Sequence, residues 1–173
     1  MRNLFLPLAS ALLLGACATT PAPLQGQFST LDPEHAAAQQ VPGETVRWGG
    51  RIVDVHTEKL FTCFEIVGAP LDSSGRPREV DDSTGRFLAC RDGFYEPEVF
   101  ANGREITVSG KIDGYETRKI GDYDYRYPRV AADVVYLWPE RHEYDDHFHD
   151  YPWGWGMGMG WGYSPWGWHG PWW

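Results

Sequence analysis

The chain has 173 residues, with 24 acidic against 15 basic side chains and a net charge of −9. That excess of carboxylates excludes a nucleic-acid-binding surface, which needs basic patches to neutralise phosphate. It also excludes purely electrostatic attachment to anionic lipid, and the length fits one domain.

The N-terminus reads MRNLFLPLASALLLGACATT. Arg2 supplies a positive start, and Leu4 to Leu14 is an apolar run of 11 residues. A membrane-spanning helix needs about 20, so the run matches a signal-peptide core. It ends in Leu14-Gly15-Ala16-Cys17, which resembles the lipobox of bacterial lipoproteins. Residues 1–16 are therefore expected to be removed as a lipoprotein signal peptide. Cys17 would then carry a diacylglycerol on its sulfur and an acyl chain on its new amine. Several acyl chains, at about 0.8 kcal/mol per buried CH₂, anchor a protein stably. Residue 18 is Ala rather than Asp, and by the sorting rule for such proteins this implies the outer membrane. The alternative is an ordinary secretory signal with an incidental cysteine.

Residues 17–43 are expected to form the lipidated cysteine and a flexible N-terminal tether, rich in Ala, Pro, Gln and Thr. Extended at ~3.3 Å per residue, such a tether would hold the rest of the chain several tens of ångströms from the bilayer. Within it, LDPEHAAAQQ has the signature of a short helix, with Asp32 as N-cap and Pro33 as first helical residue. From Glu44 the pattern changes. TVRWGGRIVDV places Val46, Trp48, Gly50 and Ile52 on one face, a period-two strand. KLFTCFEIVGAPL gives a second strand, ended by Pro70, and LDSSGRPREVDDSTG a turn-rich polar loop. RFLACRDGF is a third strand. YEPEVFANG has room for one helical turn before a turn at Asn102-Gly103. REITVSGKIDGY, with Ile106, Val108, Gly110 and Ile112 inward, and RVAADVVYLW are the fourth and fifth strands. The expected fold is mainly β: a small five-stranded antiparallel OB-like barrel over residues 44–139.

The blocks VRWGGRI, PLDSSGRP, STGRFLA, GFYEPEVFANGREITVSGKIDG and YRYPRVAADVVYLWP resemble the Slp family of starvation-inducible outer-membrane lipoproteins, from about Val46 to Pro139. The resemblance implies an outer-membrane lipoprotein with a compact β domain, and it brings no catalytic residues. A non-catalytic binding or structural role in the cell envelope, facing the periplasm, is the expectation. With Cys17 taken by lipid, Cys63 and Cys90 remain as an even pair in an oxidising compartment. In a hairpin centred on Gly75-Arg76-Pro77 they stand opposite one another, at a Cβ spacing slightly wide for a relaxed bridge. A disulfide and two buried free thiols are both open.

No nucleophile elbow, phosphate loop or metalloprotease helix occurs in the sequence, so no enzyme is expected. Residues 140–150, reading ERHEYDDHFHD, hold the candidate metal ligands His142, His147, His149 and Asp146. Imidazole and carboxylate suit a divalent transition metal. A periplasmic metal-binding module is the second reading, against a solvated acidic linker. Arg47, Arg51, Arg76 and Arg86 are candidates for an anionic glycan or lipid headgroup, against exposed charges balanced by nearby acids. Residues 151–173 form a low-complexity tail, with seven of the nine tryptophans in the last 22 residues. From Trp153 to Tyr163 every second residue is Gly, which on an extended chain puts all the large side chains on one face. Trp favours the bilayer interface and stacks on sugars and cations. Outer-membrane lipid, a glycan or a neighbouring envelope protein are its expected partners, beside the alternative of a tail with no partner.

Overall fold

The structure, a computed structural model, describes residues 19–141. Strands β1 (Thr45–Thr57), β2 (Phe61–Ala69), β3 (Arg86–Asp92), β4 (Glu105–Ile120) and β5 (Tyr123–Leu137) close into a barrel in the order β1-β2-β3-β5-β4. The sheet is mixed rather than fully antiparallel. Leu88–Cys90 of β3 run parallel to Arg129–Ala131 of β5, and the other seams are antiparallel. The physical reason is topological. Directions cannot alternate all the way around a ring with an odd number of strands, so one seam must be parallel.

Alternation along each strand sends one set of side chains inward. Val46, Trp48 and Ile52 meet Phe64, Ile66, Phe87, Ala89, Ile106, Val108, Ile112 and Val130 in one core. Trp48 stands edge-on to Phe87 at 5.3 Å. Full burial of an aliphatic or Phe side chain stabilises by about 1.5–3 kcal/mol. Register shifts at Ile52/Asp54, Ser109/Gly110 and Ile112/Gly114 curl the strands enough to close the ring. Gly50 and Gly110 permit the tightest approaches: a Cβ at either would fall on the carbonyl of Val67 or Ala131. The β3–β4 connection makes one turn, in which Phe100 N–H donates to Glu96 O at 3.0 Å. It brings Tyr95 and Phe100 onto Phe64, with ring centroids 5.6 and 5.2 Å away.

Residues 19–42, expected to be a flexible tether, are packed against the barrel. Helix α1 (Pro33–Gln39) forms where its capping signature lies. The Asp32 carboxylate accepts from His35 N–H at 2.8 Å, and Ala36 is fully buried in the core. A short 3-10 turn at Ala22–Leu24 buries Leu24 completely. Trp48 Nε1–H donates to Leu31 O at 2.7 Å, and Ser29 N–H donates to Thr45 O at 2.8 Å. Spaced apolar residues in a polar, Pro-rich setting anchor the segment at points. Strand or helix periodicity is therefore absent over most of it, and composition alone reads as a tether.

Candidate functional site

On β2, β3 and β5 the side chains of Cys63, Cys90, Arg129 and Ala131 alternate with the core positions Phe64, Ala89 and Val130. Over this face lies a groove with a cavity volume of about 740 Å³. The end of β1 (His56, Thr57) and Glu58 just beyond it bound it on one side. The β4–β5 hairpin, contributing Asp113, Glu116, Arg118 and Arg129, bounds it on the other. Arg91 and Asp92 complete a lining of mixed charge, and Phe61 adds a half-exposed ring. In OB-type barrels the face of strands 2 and 3, flanked by the 1–2 and 4–5 loops, is where oligosaccharides and oligonucleotides bind.

The hairpin that walls the groove is longer than the sequence pattern suggests. β4 and β5 continue as a two-stranded arm as far as Ile120 and Tyr123, closed by Gly121 (φ 60) and Asp122. The signal was present: a Gly-Asp pair between two strand-like runs, TRKI and YDYRY, suits a two-residue hairpin turn. The arm is fastened through Glu65. That carboxylate accepts from Tyr127 Oη–H at 2.9 Å and from Arg86 Nη1–H at 2.8 Å, with Arg118 Nη1 at 3.9 Å. Tyr125 Oη in turn accepts from Arg86 N–H at 3.0 Å. Burial first, then the hydrogen bond to Glu65, pushes the Tyr127 phenol up to about 12 from its usual 10.0. The folded state thus holds the neutral phenol more tightly than the unfolded chain does. Its contribution is complete below pH 10.0 and is lost as pH rises towards about 12. Tyr127→Phe is expected to lose less stability across that interval than the parent chain. Urea melts at stepped alkaline pH check this, and identical slopes would remove Tyr127 from the account.

On the floor of the groove, Cys63 and Cys90 stand opposite one another in the β2–β3 register, with Cα atoms 4.0 Å apart and the two sulfurs joined. The candidate arginines separate into roles. Arg47 donates to Leu24 O at 2.9 Å with Phe28 beneath it. Arg86 is bound to Glu65. Arg76 Nε–H donates to Glu105 at 2.6 Å, its Nη2–H donates to Pro139 O at 2.7 Å, and its guanidinium lies over Trp138. These three hold the fold together, whereas Arg51 is exposed at a second cleft, of about 470 Å³. Glu105 also takes Arg141, completing a cluster that fastens the end of the described chain. Cys17, His142, Asp146, His147 and His149 lie outside the described residues. Among the described residues no group of three or more His, Cys, Asp or Glu could hold a metal ion.

The strand order defines a small OB-like barrel, with an open groove over β2, β3 and β5. The Outer membrane lipoprotein Slp family matches residues 14–173, and the chain belongs to that family. The match begins three residues before Cys17 and includes the Trp-rich end, well beyond the blocks that carry the sequence resemblance. The chain is similar to outer membrane protein Slp of Escherichia coli (strain K12), 29% identical over 136 residues, 76% of this chain and 72% of that one. It is also similar to the uncharacterized lipoprotein YeaY of the same strain, 33% identical over 132 residues, 74% of this chain and 68% of that one. An uncharacterized protein of Haemophilus influenzae (strain ATCC 51907 / DSM 11121 / KW20 / Rd) is 40% identical over 103 residues, 59% of this chain and 56% of that one. Family membership places the chain at the outer membrane.

Proposed function

We propose that this protein is a lipid-anchored, periplasm-facing binding module of the cell envelope, without catalytic activity. Its anchor is the acylated Cys17, and its binding face is the groove over β2 and β3. The groove carries the reading, because it lies where OB-type barrels take polymeric ligands. Its lining alternates charge sign: Arg91 and Arg129 against Asp92 and Asp113. Such a lining offers donors and acceptors to neutral hydroxyl-rich chains, and the net charge of −9 disfavours nucleic acid. A glycan of the envelope is the ligand class that fits. The Cys63–Cys90 bridge keeps the floor of the groove rigid, and the Trp-rich tail supplies a further envelope contact.

Binding of the purified full-length protein to peptidoglycan-derived oligosaccharides tests this. Arg91→Ala is expected to weaken binding about tenfold, the equivalent of about 1.4 kcal/mol for one lost charge-assisted hydrogen bond. Arg78→Ala, on the loop between β2 and β3, should leave binding unchanged. If the parent chain binds no glycan fragment, or if the two variants behave alike, the groove is not the binding face.

A further inference from the structure

We infer that the barrel is held with one particular side against the bilayer surface: the side of β1 and β4 covered by the loop 70–77. The groove over β2 and β3 is thereby turned away from the lipid. This rests on acylation of Cys17, proposed above, and adds an orientation to it.

The first observation is where the chain meets the barrel. Thr20 Oγ1–H donates to Ser73 O at 3.2 Å, and Gln25 Nε2–H donates back to Thr20 O at 2.9 Å. Three residue steps separate Cys17 from Thr20, a reach of at most ~10 Å. An anchor there has almost no slack, so the surface around Ser73 must lie near the headgroups. The loop itself is tied to the barrel. Its ends pair at Leu71 and Pro77, Asp72 accepts from Ser74 and Arg76, and Gly75 O accepts from Thr107 Oγ1–H at 2.8 Å. Thr20, the loop and β4 are therefore held together.

The second observation is where the described chain ends. Arg141 Nη2–H donates to Pro77 O at 2.8 Å, and Arg76 Nη2–H donates to Pro139 O at 2.7 Å. Both chain exits are thus gathered on the one loop 70–77. The sequence beyond Arg141 includes seven tryptophans, and residues 151–173 contain no Lys, Arg, Asp or Glu. Trp partitions to the membrane–water interface, and an uncharged segment meets no repulsion from anionic headgroups. The described chain therefore ends at Arg141 on the lipid-facing surface, a surface that the composition of residues 151–173 suits. Its occupant is the bilayer interface rather than a glycan or a protein. Around the ring β1-β2-β3-β5-β4, strand β3 lies across from the β1–β4 seam, so the groove beside it opens to the periplasm.

The test uses the full acylated chain in vesicles of phosphatidylethanolamine and phosphatidylglycerol that contain a lipid with a nickel chelate in its headgroup. Nitroxides are placed at Ser73→Cys and at Lys59→Cys in the β1–β2 turn, with Gln25→Cys and Asp92→Cys as a second pair. All four positions are exposed. The labels at 73 and 25 should be strongly relaxed by the lipid-bound nickel, and those at 59 and 92 should not. Relaxation at 59 and 92 equal to or above that at 73 and 25 overturns the orientation, as does its absence at all four. Mass spectrometry of the same sample separates the two layers. An unacylated Cys17 removes the anchor and the orientation with it. An acylated Cys17 with the reverse labelling pattern removes the orientation alone.

Discussion

The double variant Cys63→Ala/Cys90→Ala is expected to melt roughly 10–18 °C below the parent chain. The two cysteines are separated by 27 positions, across the loop from β2 to β3. In the chain-entropy account, opening a loop of that length returns about 3.5 kcal/mol of conformational freedom to the unfolded state. For a domain of this size each kcal/mol shifts the midpoint by roughly 3–5 °C. The loop is long and polar, with turn residues throughout, so little else restrains it when unfolded. Reductant should reproduce the effect in the parent and have none in the double variant. A loss of less than about 3 °C, or two free thiols counted in unfolded, unreduced protein, would remove the bridge from the account of stability.

A comparable loss is expected from Gly50→Ala. Its added methyl would collide with the backbone carbonyl of Val67 and come within 2.9 Å of the Gly68 Cα. Both obstacles are main chain of the neighbouring strand, so no rotamer change relieves them. β1 and β2 must part, and overpacking of this kind costs about 1–3 kcal/mol, occasionally more. We expect the upper end, about 3 kcal/mol, because the collision falls on a hydrogen-bonded seam. Gly114→Ala is the control, since its nearest neighbour is the flexible end of Arg129 at 3.7 Å. Equal melting curves for the two variants would show that β1 and β2 do not approach as closely as described.

The strands were legible because their chemistry is local. Val46, Trp48 and Ile52, then Ile106, Val108 and Ile112, alternate with polar or small residues, and period two survives burial of one face. The opposition of Cys63 and Cys90 followed from counting outwards from Gly75-Arg76-Pro77, because a hairpin has one register once its centre is known. Helix α1 was legible from Asp32-Pro33 for the same local reason. The packing of residues 19–42 was not. Leu24 and Leu31 are isolated apolar positions whose partners, beside Gly75 and at Trp48, lie well ahead in sequence, and no short window shows such a pairing. The arm is less legible because TRKI carries no apolar alternation and Tyr127 of YDYRY is held by Glu65, 62 positions away in sequence. The groove inherits that difficulty. Its floor comes from residues 63 and 90 and its wall from residues 113–129, so only the closed ring brings them together.

The ring also dictates the order in which the molecule can be made. β1 takes β4 as a neighbour, so Trp48 finds Val108 only after the intervening 60 or so positions have emerged. Contacts of such long range slow folding to roughly milliseconds to seconds, because loop closure must precede any gain from pairing. Leu24 is buried beside Gly75, in the loop bound to Thr107, so the first described segment is among the last to find its seat. Until then the nascent chain carries Trp48, Phe64 and Phe87 in the open, the kind of surface on which unfolded chains aggregate. The ring is complete only when β5, the last strand in sequence, seats between β3 and β4, so these aromatic side chains stay uncovered until the whole barrel has been made.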